Sequence, residues 1–252
     1  CNFSGYTKDI RFLDIYNIGF GCFDWKINAD KDWVKFSKIN GTVYSDDRIW
    51  VGINWDNVPT GMQTAKITVS EVIGDGVVSE KSFDITVNND VQALEEKTYA
   101  EANGYVSIEA EHYTNLIKNG YYEWSVEEEL GRSGDSLKAY PNFGAASVEN
   151  PTDFNTAVAE YKIYFANTGE FNLDLYRLPT LNERGKQRAA VSMDNSTPVT
   201  LTGTNVYQEA KAGQSNWAKQ VVIDNETLST KVKVSEPGYH ILKLYAYRLY
   251  CR

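Results

Sequence analysis

Short runs of alternating apolar and polar residues fill the first third of the chain. An apolar side chain at every second position turns one face of a strand to the core and the other to solvent. Turn sequences such as Asn40-Gly41 and Gly74-Asp75-Gly76 separate these runs, a spacing typical of β-sandwiches. The clearest runs are 10–16, 48–55, 64–69 and 82–87. Residues 1–90 are therefore predicted to form one all-β domain.

A polar, charged connector at 91–103 leads into a second domain at 104–252, in which the alternation resumes. The fold class predicted for the whole chain is therefore all-β, with two sandwich domains. The strands predicted in the second domain are 105–111, 121–126, 136–140, 157–164, 170–177, 188–193, 218–222, 230–234 and 239–246.

Composition and charge narrow the classes of function. The 252 residues are 42% hydrophobic and 13% aromatic, as in folded globular proteins. The formal net charge is −9 and no basic stripe is present, which argues against nucleic acid or an anionic membrane as a partner. No apolar run approaches the ~20 residues that a helix needs to span a bilayer. A protein without a membrane span is predicted.

The three cysteines, Cys1, Cys22 and Cys251, do not indicate a metal site. None lies in a CxxC pair or has a histidine nearby in sequence, so zinc is not predicted, and an odd number cannot pair completely as disulfides. Cys1 has two interpretations, the lipid-bearing residue of a mature bacterial lipoprotein or the boundary of a fragment. The second is favoured because no signal peptide supports the first.

The predicted strand at 105–111 carries the sharpest candidate site. Glu109 and Glu111 would share one face, roughly 6.5–7 Å apart, with Ile108 and Ala110 on the other. Two carboxylates at this spacing, together with backbone carbonyls, can enclose a hard cation such as Ca²⁺. The alternative is a pair of acids on a solvated strand face, which spacing alone favours. A structural calcium is the one cofactor considered, and none is required.

Three arginines stand close together in a chain that is otherwise acidic. Arg177, Arg184 and Arg188 lie within or beside the long loop at 178–185. Arginine can grip a carboxylate with two hydrogen bonds, as a uronic acid would require. The alternative is ordinary ion pairing within the protein, with Glu183, Asp174 or Asp194 as acceptors.

Aromatic residues of the second domain are candidates either for sugar binding or for core packing. Trp124, Tyr140 and Trp217, with Tyr121 and Tyr122 nearby, could stack on sugar rings. Core packing uses the same residue types, and each of them taken singly is more often buried.

The sequence does not predict a self-contained active site. The two histidines, His112 and His240, stand in strand contexts, and neither a nucleophile elbow nor a phosphate-binding loop is present. A pair of acids suffices for a glycosidase, but the pattern singles out no particular pair.

The second domain resembles the C-terminal domain of glycoside hydrolase family 115, the xylan α-glucuronidases. The segments that match the family's sequences in order and spacing are 104–113, 130–136, 140–141, 178–180, 189–194 and 237–243. That domain is in turn similar to carbohydrate-binding module family 35, which implies a jelly-roll-like sandwich. In such modules a last strand supplies an Asp to the calcium held by the paired glutamates. The segment 245–252 departs from that pattern, so the last strand is expected to be missing here.

The first domain resembles the Ig-like domain of carbohydrate-active proteins from Bacteroidetes. The matching segments are 23–25, 32–37, 41, 48–53, 58–61 and 66–69.

The two resemblances together imply an accessory role. The family's catalytic centre lies in upstream domains, so this region is expected to be non-catalytic and to support domain arrangement, homodimer formation or the substrate cleft. The alternative is an independent module that binds glucuronic-acid-decorated xylan. A periplasmic or extracellular location in a bacterium is implied by the resemblance.

Overall fold

The computed structural model describes residues 2–74, 76–120, 122–140, 156–179, 188–203 and 216–247, with only the backbone at 216, 217 and 247. The chain divides into two compact units. The first unit is Cys1–Ala93 with Ala102–Tyr105, and the second is Leu94–Glu101 with Val106–Arg252.

The first unit contains two sheets. Its strands are β1 (Asn2–Ser4), β2 (Arg11–Tyr16), β3 (Phe23–Ala29), β4 (Val34–Phe36), β5 (Asn40–Val43), β6 (Asp46–Ile53), β7 (Met62–Ile73) and β8 (Gly76–Asn88). One sheet has the order β1-β8-β7-β3-β5 and the other β2-β6-β4. A 3₁₀ turn at Trp55–Asn57 follows β6. The first strand pairs with β8 in parallel, whereas the other pairs are antiparallel.

One apolar core lies between these two sheets, so the first unit is a sandwich. Trp25 and Ile67 project into it from one sheet, and Ile49 and Val51 project from the other. Gly41 on β5 lies against the indole of Trp25, where an added Cβ would come within 3.0 Å of the ring. The close contact explains a glycine inside this strand.

The second unit is built around a six-stranded sheet. Its strands are β9 (Thr98–Ala100), β10 (Asn115–Ile117), β11 (Glu123–Glu127), β12 (Ser136–Tyr140), β13 (Val158–Phe165), β14 (Gly169–Arg177), β15 (Arg188–Met193), β16 (Val199–Thr202), β17 (Glu226–Val234) and β18 (Gly238–Tyr247), with helix α1 at Asn216–Ile223. The sheet has the order β10-β13-β18-β15-β16, and β9 also pairs with β13. Two ribbons, β11–β12 and β14–β17, complete the unit.

The core of the second unit lies between the sheet and the ribbons. Tyr161 and Leu244 come from the sheet, whereas Leu228 comes from β17 and Trp124 from β11. The all-β prediction is confirmed, since strands make up nearly all the regular structure of the described residues.

The predicted strand at 105–111 is wrong. Its apolar side chains do pack inward, since Val106 and Ile108 contact the core. The backbone forms no ladder there, and the bridge between Ala102 and Tyr105 is isolated. Asn103 and Gly104 take positive φ angles of 56° and 86°, which turn the chain before a strand can pair. The segment 104–113 is therefore a covering segment without strand pairing, and it turns where the N–H of His112 donates to the carbonyl of Glu109 at 3.0 Å.

The predicted strand at 218–222 is also wrong, because these residues belong to helix α1. A five-residue apolar run does not distinguish a strand from a helix by its period. The helix ends at Ile223, since the next residue, Asp224, has φ of 49° and the backbone N–H of Asn225 donates to the carbonyl of Gln220. The strand predicted at 239–246 is present as β18, with β13 on one side and β15 on the other.

Candidate functional site

Two segments of the chain, 104–113 and 130–136, meet at the candidate cation site. The hydroxyl of Ser133 donates to Oε1 of Glu109 at 2.9 Å. Gly134 lies beside Glu111, since a Cβ added at this glycine would be 3.5 Å from Oε1 of that carboxylate. The fold thus brings both glutamates to the loop at 129–135.

That loop is a tight turn with a strict glycine requirement. The N–H of Gly131 donates to the carbonyl of Gly134 at 2.7 Å, and the N–H of Glu129 donates to the Asp135 carboxylate at 2.9 Å. A Cβ at Gly131 would come within 2.1 Å of the carbonyl oxygen of Asp135. The backbone of the loop can close against itself only because this position lacks a side chain.

Two tyrosines fix the segment that carries the glutamates. The hydroxyl of Tyr161 donates to the carbonyl of Ala110 at 2.8 Å, and that of Tyr99 donates to the carbonyl of His112. Burial raises the pKa of both phenols, and the negative charge of Glu111 raises it further. Both tyrosines therefore remain protonated donors at neutral pH.

Glu111 is the unusual member of this site. Its side chain is only 9% exposed, and Nε2 of the neighbouring His112 ring lies 4.0 Å from its Oε1. None of the described residues donates a hydrogen bond to its carboxylate. A carboxylate that is removed from water without donors is costly unless a cation compensates it.

The chemistry of the site favours a hard cation with oxygen ligands. Two carboxylates, the Ser133 hydroxyl and the turn carbonyls are all oxygen donors. Within the described part of the chain, three or more His, Cys, Asp or Glu side chains do not converge on a point suited to a metal. Backbone and water oxygens would have to complete the coordination.

Trp124 and Tyr140 lie on opposite faces of the β11–β12 ribbon. Trp124 pairs with Ala139, and its side chain packs against the core of the second unit. Tyr140 pairs with Glu123, one position along, so its side chain projects from the other face. Trp124 thus takes the core position that the sequence left open, whereas Tyr140 does not.

Polar contacts hold Tyr140 in place. Its hydroxyl donates to Oε1 of Glu127 at 2.6 Å, and Nζ of Lys138 lies 4.8 Å from the ring centroid. The hydrogen bond from Tyr140 lowers the pKa of Glu127, and the positive charge of Lys138 adds to the effect. The ribbon therefore presents an aromatic ring, a cation and an anion side by side.

Arg177 is bound by a carboxylate of the protein itself. Arg177 and Glu226 are cross-strand neighbours on β14 and β17, and they form an ion pair with side-chain exposures of 16% and 7%. The guanidinium also lies against the backbone of Gly203, where a Cβ would collide with it. Two of the expected acceptors have other partners, because Asp174 accepts from Ser229 and Asp194 binds His240, and the third, Glu183, lies outside the described residues.

The remaining candidates are less informative. Arg188 is half-buried at the start of β15, opposite Thr202 and Tyr247. Cys22 is an exposed free thiol. The predictions that fall outside the described residues are Tyr121, Arg184, the side chain of Trp217, Cys1 and Cys251.

Sequence reasoning missed a buried carboxylate, Glu101. It accepts hydrogen bonds from the backbone N–H groups of Ala166 and Asn167 at 3.1 and 3.0 Å, and from the Asn167 amide. These contacts hold the turn between β13 and β14. Its position in the predicted connector gave no signal of burial.

A second feature that the sequence did not predict is a contact between His240 and Asp194, which joins the segments 189–194 and 237–243. Nδ1 of buried His240 lies 2.7 Å from Asp194, and Nε2 lies 3.0 Å from the carbonyl of Glu236. Asp194 also accepts from the backbone N–H of Ile241 at 2.8 Å. Asp194 lies in the first of these segments and His240 and Ile241 in the second, but the sequence does not show that the two segments are in contact.

Comparison with protein families decides the identity of the second unit. A sequence model described as "Glycosyl hydrolase family 115 C-terminal domain" matches residues 98–249, more than half of the chain. The chain belongs to glycosyl hydrolase family 115. The resemblance of the second domain to this family is thereby confirmed. Comparison with curated proteins gives no match.

Two of the solved structures similar to this family 115 chain are much longer proteins. A GH115 4-O-methyl-α-glucuronidase with specificity for decorated arabinogalactans is 17% identical, with 53% of this chain and 16% of that chain covered and a TM-score of 0.35. A Bacteroides ovatus GH5 xyloglucanase is 16% identical, with coverages of 54% and 28% and a TM-score of 0.28. TM-scores at this level do not establish a shared fold.

Among the described residues of this family 115 chain, helix α1 is too short and too polar to cross a bilayer, and no other helix could do so.

Proposed function

We propose that this chain is a non-catalytic accessory region of a xylan α-glucuronidase-type glycoside hydrolase. It supports the arrangement of the catalytic domains, dimer formation or the substrate cleft. The observation that carries the proposal is the match of residues 98–249 to the C-terminal domain of family 115.

The buried acids of the second unit support a structural role. Glu101 holds a turn, and Glu226 neutralises Arg177. A general acid or a nucleophile in a glycosidase has to reach the glycosidic bond directly. Buried carboxylates that are occupied in this way do not meet that requirement.

The test is the release of glucuronic acid from glucuronoxylan by the purified chain. We expect no release. In a longer enzyme that carries this region, truncation before residue 94 is expected to lower kcat/KM or to convert a dimer into monomers, as measured by kinetics and light scattering. Turnover by the isolated chain would contradict the proposal, and so would a truncation without effect.

A second candidate function is binding of glucuronic-acid-decorated xylan by the β11–β12 ribbon. The side of the ribbon that faces away from the core offers half-buried Tyr140 for stacking and Lys138, whose Nζ lies 3.6 Å from Oε1 of Glu127, as a partner for a uronate. Arg177 contributes less to this candidate, because Glu226 already occupies its guanidinium. Calorimetry with an aldouronic acid tests it. Binding should be lost in Tyr140→Ala and retained in Tyr176→Ala, a control that removes an exposed tyrosine of β14.

A calcium ion held by Glu109, Glu111 and the 129–135 loop would have a structural role. It would fasten the covering segment to the loop and compensate the buried charge of Glu111. A protein that acts on plant polysaccharide works outside the cytoplasm, so we propose a periplasmic or extracellular location, where Ca²⁺ is plentiful.

A further inference from the structure

The solvent side of the three-stranded sheet of the first unit carries large aromatic side chains. Phe12 is 52% exposed, Trp50 48% and Tyr16 63%. Aromatic side chains this large are usually buried, so several on one small sheet are informative. We call this surface the aromatic face, and it comprises Phe12, Asp14, Tyr16, Arg48, Trp50 and Gly52.

Strand alternation places these residues together. On β2, Leu13 and Ile15 contact the core, so Phe12, Asp14 and Tyr16 project outward. The register with β6 then sets Phe12 opposite Trp50 and Asp14 opposite Arg48. The face is a direct consequence of strand pairing and does not depend on a loop.

Side-chain contacts hold the aromatic face in one arrangement. The rings of Phe12 and Trp50 meet edge to face with centroids 5.6 Å apart, and the Arg48 guanidinium lies 3.9 Å from the centroid of Phe12. Arg48 donates two hydrogen bonds to Asp14, at 2.7 and 2.8 Å. The hydroxyl of Tyr16 donates to the same carboxylate at 3.1 Å. A surface that is ordered before binding loses less entropy when it binds.

An open notch adjoins the indole of Trp50. Gly52 follows Trp50 on the same side of β6, opposite Lys35 on β4. A Cβ built at Gly52 has no atom within 4 Å. The absence of a side chain there leaves a shallow depression beside the indole, where a planar ligand can lie against it.

We propose that the aromatic face binds a neutral polysaccharide chain. Trp50 and Tyr16 provide flat apolar surfaces for sugar rings, while Asp14, Arg48 and the Tyr16 hydroxyl offer hydrogen bonds to sugar hydroxyl groups. The guanidinium of Arg48 covers the ring of Phe12, so Phe12 is not available for stacking. Its role is to support Trp50, which it contacts edge to face.

Charge favours a neutral ligand over an anionic one. Asp14 already neutralises Arg48, and the chain as a whole carries a net charge of −9. A polyanion would therefore meet no net positive charge, because Arg48 and Lys35 on this side of the sheet are matched by Asp14 and Asp46.

The size of the face argues against a protein partner. The longest strand, β6, has eight residues, so the three strands span about 26 Å by about 10 Å. That is well below the ~800 Å² that each partner contributes to a stable protein interface. Tyr16 lies four positions from Phe12 along β2, which is about 13 Å. A chain of several sugar rings can span that distance, and a monosaccharide cannot.

The test is isothermal titration of the full chain with xylohexaose and cellohexaose, and with xylose as the short ligand. We expect saturable binding of at least one hexasaccharide and none of xylose. Trp50→Ala is expected to weaken binding about tenfold or more, and Tyr16→Ala by less. Gly52→Val should fill the notch and also weaken binding, while its melting temperature stays at or above the wild-type value because a β-branched residue suits a strand.

The matched control is Tyr176→Ala, which removes an exposed tyrosine of the second unit and should not change hexasaccharide binding. The inference would be overturned by the absence of binding at millimolar ligand, or by equal affinities of the wild type and a folded Trp50→Ala. Dimerisation that Trp50→Ala abolishes would identify a protein interface and would overturn it too.

Discussion

The two units stabilise their interiors in different ways. Among the described residues, the buried polar groups of the first unit are Ser4 and Ser70, both uncharged. The second unit buries ionisable groups as well, namely Glu101, Glu226 and His240. In the first unit the ion pair of Arg48 and Asp14 keeps its cation in solvent, with side-chain exposures of 51% and 13%. Two sandwiches in one chain thus differ in where they place charge.

This difference indicates where each unit is sensitive. A buried charge that loses its partner remains desolvated, whereas an exposed one returns to water. The second unit should therefore respond strongly to single charge substitutions. The first unit should tolerate them, which leaves its surface free to carry a binding site.

The largest expected effect is at the Arg177–Glu226 pair. Glu226→Ala leaves the guanidinium of Arg177 buried without its carboxylate, which should lower the free energy of unfolding of the second unit by ~3–5 kcal/mol. Urea unfolding followed by circular dichroism, with hydrogen exchange to assign the unit, measures this loss.

The matched control for that pair is Asp14→Ala in the first unit, which leaves behind Arg48, a guanidinium side chain that is 51% exposed and can return to water. We expect a much smaller change there, confined to the first unit. Equal losses in the two variants would remove the contrast between the units.

Glu101 provides the next largest effect. Glu101→Gln replaces an acceptor of two backbone N–H groups by an amide, one end of which is itself a donor. Because hydrogen bonds to charged groups contribute about 1.5–3 kcal/mol, we expect a loss of that size, with faster hydrogen exchange at Ala166 and Asn167. Glu96→Gln, at an exposed acid of the same unit, should leave both quantities unchanged.

Alternation in the sequence predicted the strands and their inward faces, including the packing of Val106 and Ile108. It did not predict that 105–111 lacks a ladder, because pairing depends on which strand lies alongside. The run at 218–222 was too short for its period to identify a helix. Local pattern thus determined which side chains face inward, but not the hydrogen-bond partners of the backbone.

The candidate sites were harder to predict than the fold. Arg177 was correctly considered for an ion pair, but its partner Glu226 lies 49 residues away and only the register of β14 with β17 shows the contact. The aromatic face was missed for a similar reason. Phe12 and Trp50 read as ordinary strand residues until the pairing of β2 with β6 sets them together.

Calcium provides a test of the buried charge at Glu111. If a cation compensates this carboxylate, Ca²⁺ at tenfold excess over its Kd should stabilise the second unit by about 1.4 kcal/mol relative to the chain in EDTA. The gain should vanish in Glu111→Gln and persist in Glu96→Gln. Equal melting temperatures with Ca²⁺ and with EDTA would contradict the calcium proposal.

The smallest expected effect is a pH dependence at His240. Burial opposes protonation of its ring, but the hydrogen bonds to Asp194 and to the Glu236 carbonyl, with the charges of both residues, outweigh it and raise the pKa. Both ring nitrogens face oxygen acceptors, so the doubly protonated ring satisfies both. A pKa that is higher in the folded state than in the unfolded state means that protonation favours folding.

The sign of the effect follows from this. The stabilisation by His240 is complete below the unfolded pKa of about 6.5 and is lost as the pH rises through the higher folded pKa. The second unit should therefore unfold at lower urea near pH 8.5 than near pH 6, and His240→Gln should reduce this difference. His112→Gln is the matched control, because His112 is the other histidine and is exposed. If His112→Gln instead removed the pH dependence of unfolding, the titrating group would be the exposed histidine. The second unit would then resemble the first in depending on surface charge.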